Sequence, residues 1–120
     1  MTTGAGDDGI GVGDSKIGGA ATVASNAGKD MIIFENSTVG LNTVIDAGAG
    51  DDTVAASGFT TPSSLFVYLG AGNDSLTLIN ARAFAAFLYG GTGSNTLTTD
   101  AATRTGVRTL RSFQFQNTTV

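Results

Sequence analysis

Short stretches in which apolar side chains alternate with small or polar ones recur along the whole chain, and none shows the three-and-four spacing of an amphipathic helix. Ile10 and Val12, Ile32 and Phe34, Val54 and Ala56, Leu76 and Leu78, and Leu97 and Thr99 each occupy every second position of such a stretch. Every stretch follows a glycine-rich heptapeptide. Gly4-Ala5-Gly6-Asp7-Asp8-Gly9-Ile10 returns as Asn26-Ala27-Gly28-Lys29-Asp30-Met31-Ile32 and as Gly48-Ala49-Gly50-Asp51-Asp52-Thr53-Val54. Two further copies are Gly70-Ala71-Gly72-Asn73-Asp74-Ser75-Leu76 and Gly91-Thr92-Gly93-Ser94-Asn95-Thr96-Leu97. The copies start at residues 4, 26, 48, 70 and 91, with spacings of 22, 22, 22 and 21, and a partial unit is expected from Phe113. A second apolar stretch precedes each next turn (Thr22-Val23, Val44-Ile45, Phe66 to Leu69, Phe87 to Tyr89, Thr109-Leu110), and Ser37 to Val39 and Phe59 to Thr61 read as a third, weaker strand.

Strand, turn and strand repeated at fixed length predict a fold in which no unit buries its own apolar face and neighbours bury it by stacking. The expectation is an all-β, single-stranded parallel β-solenoid (β-helix) with about five coils of 22 residues and two or three strands per coil. Residues 1–120 form its single domain. Coils stacked about 4.8 Å apart give a column roughly 24 Å tall. A β-sandwich also places strands at regular intervals, but it does not repeat one heptapeptide in one register.

Composition narrows the chemistry. The chain has no Cys and no His, which removes disulfides, thiolate metal sites, Cys nucleophiles and the usual neutral-pH acid–base residue. Nine Asp and one Glu face two Lys and four Arg, for a net charge of −4. That balance argues against nucleic-acid partners. No apolar run approaches the roughly 20 residues that span a bilayer, so no membrane insertion is expected. The N-terminal residues MTTGAGDDG form no cleavable signal peptide.

Stacked repeats place equivalent side chains above one another. The outer turn column, Asp7, Lys29, Asp51, Asn73 and Ser94, sets a lysine between two aspartates. The inner column, Asp8, Asp30, Asp52, Asp74 and Asn95, holds no cation. Two bare carboxylates about 4.8 Å apart repel by about 1 kcal/mol in water and several-fold more at an effective dielectric near 20. Bound ions, turn N–H groups or raised pKa values must answer that repulsion. One reading gives the aspartates to calcium, and the other gives them to Asx-turns closed on the following N–H groups.

The turn segments Ala47 to Val54 and Gly90 to Leu97 resemble the glycine–aspartate nonapeptide of hemolysin-type (RTX) calcium-binding repeat proteins. The resemblance implies calcium as a cofactor, held by Asp8, Asp30, Asp52 and Asp74 with the backbone carbonyls of Gly48, Gly50, Gly70 and Gly72. It also implies that Ile10, Ile32, Val54, Leu76 and Leu97 point inward. That family runs two such motifs in each coil, whereas this chain has one. The coil length is more similar to the β-helices of polysaccharide lyases and large bacterial adhesins.

Neither end carries an amphipathic helix or a charged loop, so both are expected to stack, on another copy end to end or on neighbouring coils of a longer chain. Phe113 and Phe115 are the candidate self-association residues at the C-terminal end. A lyase-like site would draw on Asp100 with Arg82, Arg104, Arg108 and Arg111, and a sugar-binding stripe on Phe84, Phe87, Tyr68 and Tyr89. The reading that gathers most of these features is a non-enzymatic structural module of a bacterial extracellular or cell-surface protein, calcium-stabilised and stacking end to end. The alternative is a polysaccharide-binding or lyase-like β-helix domain.

Overall fold

The computed structural model describes residues 1–117; the side chains of Val107, Arg108 and residues 114–117 lie outside that description. No helix is present among the described residues, and every strand pairing is parallel. The first sheet stacks β1 (Gly9–Gly13), β4 (Met31–Glu35), β7 (Thr53–Ser57), β9 (Ser75–Ile79), β11 (Thr96–Thr99) and β13 (Gln114–Asn117), in that order. The second holds β2 (Lys16–Ile17), β3 (Ala21–Ala24), β5 (Thr38–Val39), β6 (Thr43–Asp46), β8 (Thr60–Tyr68), β10 (Arg82–Tyr89) and β12 (Arg104–Arg111). Each strand therefore pairs with its counterpart one coil away, as the solenoid reading requires.

The number of strands per coil changes along the column. In the first two coils the second sheet is broken at Gly18-Gly19-Ala20 and at Gly40-Leu41-Asn42, which gives three strands. From the third coil onward the two pieces fuse into β8, β10 and β12. The fusion brings a bulge: Thr61 pairs with Ala83 and Ser64 with Ala85, so Pro62 and Ser63 together oppose Phe84. The chain's one proline sits where a ladder N–H is not needed. The Ser64 N–H donates to Asn42 Oδ1 at 3.1 Å and Thr61 Oγ1 donates to the Leu41 carbonyl at 2.8 Å, which pins the bulge to the coil above. This extra residue turns a spacing of 22 into one of 21 at the next turn.

Inward positions form continuous apolar columns. Ile32, Val54, Leu76 and Leu97 are fully buried, as are Val67, Leu69 and Leu88 from the opposite sheet. Volume is balanced within each coil. Where the first sheet supplies Phe34, the bend after it supplies buried Ser37; one coil on, the small Ala56 is met by buried Phe59. The two rings meet edge to face across the coil boundary, with centroids 5.4 Å apart. Large and small side chains thus alternate between these two inward positions from one coil to the next.

The ends differ from the middle. Thr2 bridges to Ala24, the Met1 ammonium donates to the Thr22 carbonyl at 2.7 Å, and the Ala24 N–H donates to the Met1 carbonyl at 2.9 Å. Residues 1–3 thus cover the edge of β3, while among the described residues the outer edge of β1 pairs with nothing. A hollow of about 230 Å³ lined by Met1, Val12, Ile17, Val23 and Phe34 opens beside them. At the other end Gln114 pairs with Thr96, an offset of 18 residues, while Arg111 still pairs with Tyr89 at 22. The last coil therefore lacks the glycine–aspartate turn. The partial unit from Phe113 starts at the inner-column position, in register with Asn95.

Candidate functional site: the glycine–aspartate edge

The third turn position takes positive φ in every copy: +121° at Gly6, +140° at Gly28, +133° at Gly50, +137° at Gly72 and +94° at Gly93. Stacking adds a second demand. A Cβ on Gly50 would lie 1.9 Å from the Gly28 carbonyl oxygen, and one on Gly72 would lie 1.9 Å from that of Gly50. Only glycine satisfies both requirements. The backbones then approach closely enough for coil-to-coil bonds, such as Gly50 N–H to the Ala71 carbonyl at 2.7 Å and Ala71 N–H to the Gly48 carbonyl at 3.0 Å.

The aspartates extend this ladder through their side chains. In the inner column the N–H of Asp8 donates to Asp30 Oδ1, that of Asp30 to Asp52 Oδ1 and that of Asp52 to Asp74 Oδ1, each at 2.8 Å. The Asp74 N–H ends the series on Asn95 Oδ1 at 3.0 Å. The outer column runs the opposite way: Lys29 N–H donates to Asp7 Oδ1, Asn73 N–H to Asp51 Oδ1, and Ser94 N–H to Asn73 Oδ1 at 2.9 Å. Every acceptor in both columns sits on a neighbouring coil. The expected Asx-turns within one coil are replaced by bonds that clamp coil to coil.

Each inner carboxylate has one oxygen left over. Oδ2 of Asp8, Asp30, Asp52 and Asp74 is buried and accepts no hydrogen bond, and Asp30, Asp52 and Asp74 are each only 2% exposed. Asn95 shows what that position asks for. Its Nδ2, the counterpart of Oδ2, donates to the Ser112 carbonyl at 3.2 Å and to the Thr92 carbonyl at 3.4 Å. By register the equivalent carbonyls around Asp74 are those of Gly90 and Ala71. An amide donor suits such surroundings, and a bare carboxylate oxygen does not. Burial foremost, then the charges of Asp74, Asp30 and Asp51, push the Asp52 carboxyl up to about 6 against the lowering effect of the Asp30 N–H. Burial also raises Asp74.

An all-oxygen donor set of carboxylate and carbonyl groups suits a hard cation such as calcium rather than zinc or copper. The four expected ligand aspartates are brought into one column, which is the arrangement the sequence pattern implied. The carbonyls of Gly48 and Gly70 already accept from the N–H groups of Ala71 and Thr92. Among the described residues no group of three or more His, Cys, Asp or Glu side chains is placed to hold one metal ion. What the edge offers is one orphaned carboxylate oxygen per coil gap, with main-chain carbonyls as its neighbours by register.

The other candidate residues are dispersed. Asp100 is tied into its turn, where Oδ1 accepts from the Asn80 N–H at 3.0 Å and from Thr103 Oγ1 at 2.7 Å, bonds that lower its pKa. Phe113, a candidate self-association residue, is half-buried and packs against the core of its own chain; the Phe115 side chain lies outside the described residues. Phe66 stacks on Phe87 at 4.9 Å and Tyr68 on Tyr89 at 5.3 Å, so these rings turn faces toward each other. Sequence reasoning set Arg82 and Arg104 in one candidate group but missed their pairing in register, and it missed the end-of-ladder role of Asn95. The pair's only sequence trace is the matching 22-residue spacing. No family model, no curated protein and no solved structure matches this chain.

Proposed function

We propose that this chain is a non-enzymatic structural module of a bacterial extracellular or cell-surface protein, a β-solenoid spacer whose coils are braced by calcium along the glycine–aspartate edge. The observation that carries the reading is the column of buried, unpartnered Oδ2 atoms in Asp30, Asp52 and Asp74, with carbonyl oxygens as their neighbours by register. A divalent cation would supply the positive charge there and offset the repulsion between stacked carboxylates. Setting calcium between coils is a means of stiffening a spacer where the ion is abundant, which supports an extracellular setting.

Further coils, or a second copy, complete the stack at the open edge of β1. The charge column Lys16, Thr38, Thr60, Arg82, Arg104 bears on that step, because a copy docked in continuous register sets Lys16 against Arg104. End-to-end association of this chain should therefore strengthen as salt screens the pair, which sedimentation velocity at low and high salt reads directly.

The decisive test is calorimetric titration of calcium into the wild type and into the Asp52→Asn, Asp74→Asn double variant. Asn95 shows that an amide fits the column and keeps the ladder, so the variant removes charge without removing the fold. Calcium heats in the wild type that vanish in the variant support the reading; equal or absent heats in both overturn the metal.

A further inference from the structure

We propose that the outward face of β8, β10 and β12 is a docking surface for an acidic polysaccharide, centred on Arg82, Phe84 and Arg104. Register places Arg104 beside Arg82, which neighbours Thr60, so two arginines stand on adjacent rungs whose backbones lie about 4.8 Å apart. Among the described residues nothing engages the Arg82 guanidinium, while Arg104 Nη1 donates to the carbonyls of Ala101 and Thr103 and keeps its remaining donors. Both arginines are exposed.

Asp100, held by the Asn80 N–H and by Thr103, is the carboxylate of the neighbouring turn, and among the described residues it forms no ion pair with either arginine. Two like charges left side by side in a molecule of net charge −4 match an anion supplied from outside. The guanidinium fork suits a carboxylate in particular.

The ring beside them carries the second half of the argument. Phe84 is 68% exposed, and among the described residues no second ring stacks on it, unlike the Phe66–Phe87 and Tyr68–Tyr89 pairs. The bulge opposite it, Pro62-Ser63, interrupts an otherwise regular pairing and leaves this apolar face standing free; bulges are commonly used to re-aim a side chain at a binding site. Gly106 lies on the next rung between the pairs Ala83–Thr105 and Ala85–Val107; a Cβ there would strike the Phe84 carbonyl at 2.4 Å, so this position of the neighbouring rung carries no side chain. A free aromatic face next to a pair of arginines offers a sugar ring a stacking surface and its carboxylate two forks. Farther along the same face, Tyr68 and Tyr89 with Arg111 continue the pattern, and exposed Asp46 marks where it ends.

Polyuronate chemistry fits this better than polyphosphate. Three exposed arginines neutralise few phosphates, and the acidic turn edge repels a long nucleic acid.

The test is titration of a short oligouronate into the folded wild type in calcium-containing buffer, with a neutral oligosaccharide and a DNA oligonucleotide as controls. The same titrations are run on Arg82→Gln with Arg104→Gln, and on Phe84→Thr. Circular dichroism checks the fold of each variant, and the Asp52→Asn, Asp74→Asn variant separates this surface from the metal. The expected result is oligouronate binding that weakens about tenfold or more in each face variant. It should persist in the turn variant, and the neutral sugar should not bind. Absence of binding, equal binding of DNA, or binding untouched by Phe84→Thr would overturn the proposal. So would a Phe84→Thr effect confined to self-association, which would make the face a contact between copies.

Discussion

Each coil turns two sharp corners, and they are built on different rules. At the glycine–aspartate corner the third residue is glycine in every copy, and from Gly28 onward its Cβ would strike the carbonyl of the coil above at about 2 Å. At the corner that follows the first sheet, the left-handed residue is Asp14, Asn36, Gly58 or Asn80, with φ of +48° to +65°. There a Cβ on Gly58 would press only on the movable Asn36 side-chain oxygen, at 2.7 Å, with the Asn36 backbone at ordinary contact distance. Left-handed backbone alone leaves a choice among Asn, Asp and Gly, and close stacking of backbones removes that choice. Invariance within the repeat thus reports a coil-to-coil constraint, and variation reports a constraint within one coil.

The sharpest way to break this contrast is Gly50→Ala. It forces a side chain into the Gly28 carbonyl and is expected to cost about 3–5 kcal/mol or prevent folding, read by urea denaturation. Next comes Phe59→Ala, which empties the compensating half of its coil beside Phe34 and Ala56 and should cost about 3 kcal/mol in the same assay.

A smaller effect follows from pH. The Asp52 carboxyl sits at about 6 in the folded chain against 3.8 when free, so the folded state holds the proton more tightly. Its contribution is complete below about pH 4, fades as pH rises and is gone once pH passes about 6, a loss on the order of 2 kcal/mol. In metal-free buffer the melting temperature should fall across that window, and Asp52→Asn should flatten the fall. The mildest change is Gly58→Asn, which copies the corner residue found one coil above and one below; stability should stay within about 0.5 kcal/mol of wild type.

Much of this organisation is visible in the residues themselves. The turn column, the inward column Ile10, Ile32, Val54, Leu76, Leu97 and the parallel stacking follow from one period, because a repeat fixes register as well as fold. The second corner was missed because its column, Asp14, Asn36, Gly58 and Asn80, shares tolerance of a left-handed backbone without one invariant residue to mark the repeat. The bulge left a trace as the single spacing of 21, yet that number cannot say where in the coil the extra residue lies; Pro62 is the local signal that could have placed it. The shortened last coil was hidden because Ser112 and Phe113 replace the glycine turn with residues that match nothing in its pattern. The opposite senses of the two side-chain ladders depend on which coil each carboxylate leans toward, a matter of rotamer and packing with no counterpart in spacing.

The account rests most heavily on the orphaned inner-column oxygens. The measurement that tests it most directly is the melting temperature in calcium and in chelator, for the wild type and for Asp52→Asn with Asp74→Asn. A wild type that melts higher in calcium, beside a variant that melts at one temperature in both buffers, is the predicted result. A wild type indifferent to calcium, or a variant that still responds to it, would contradict the claim that calcium braces this edge.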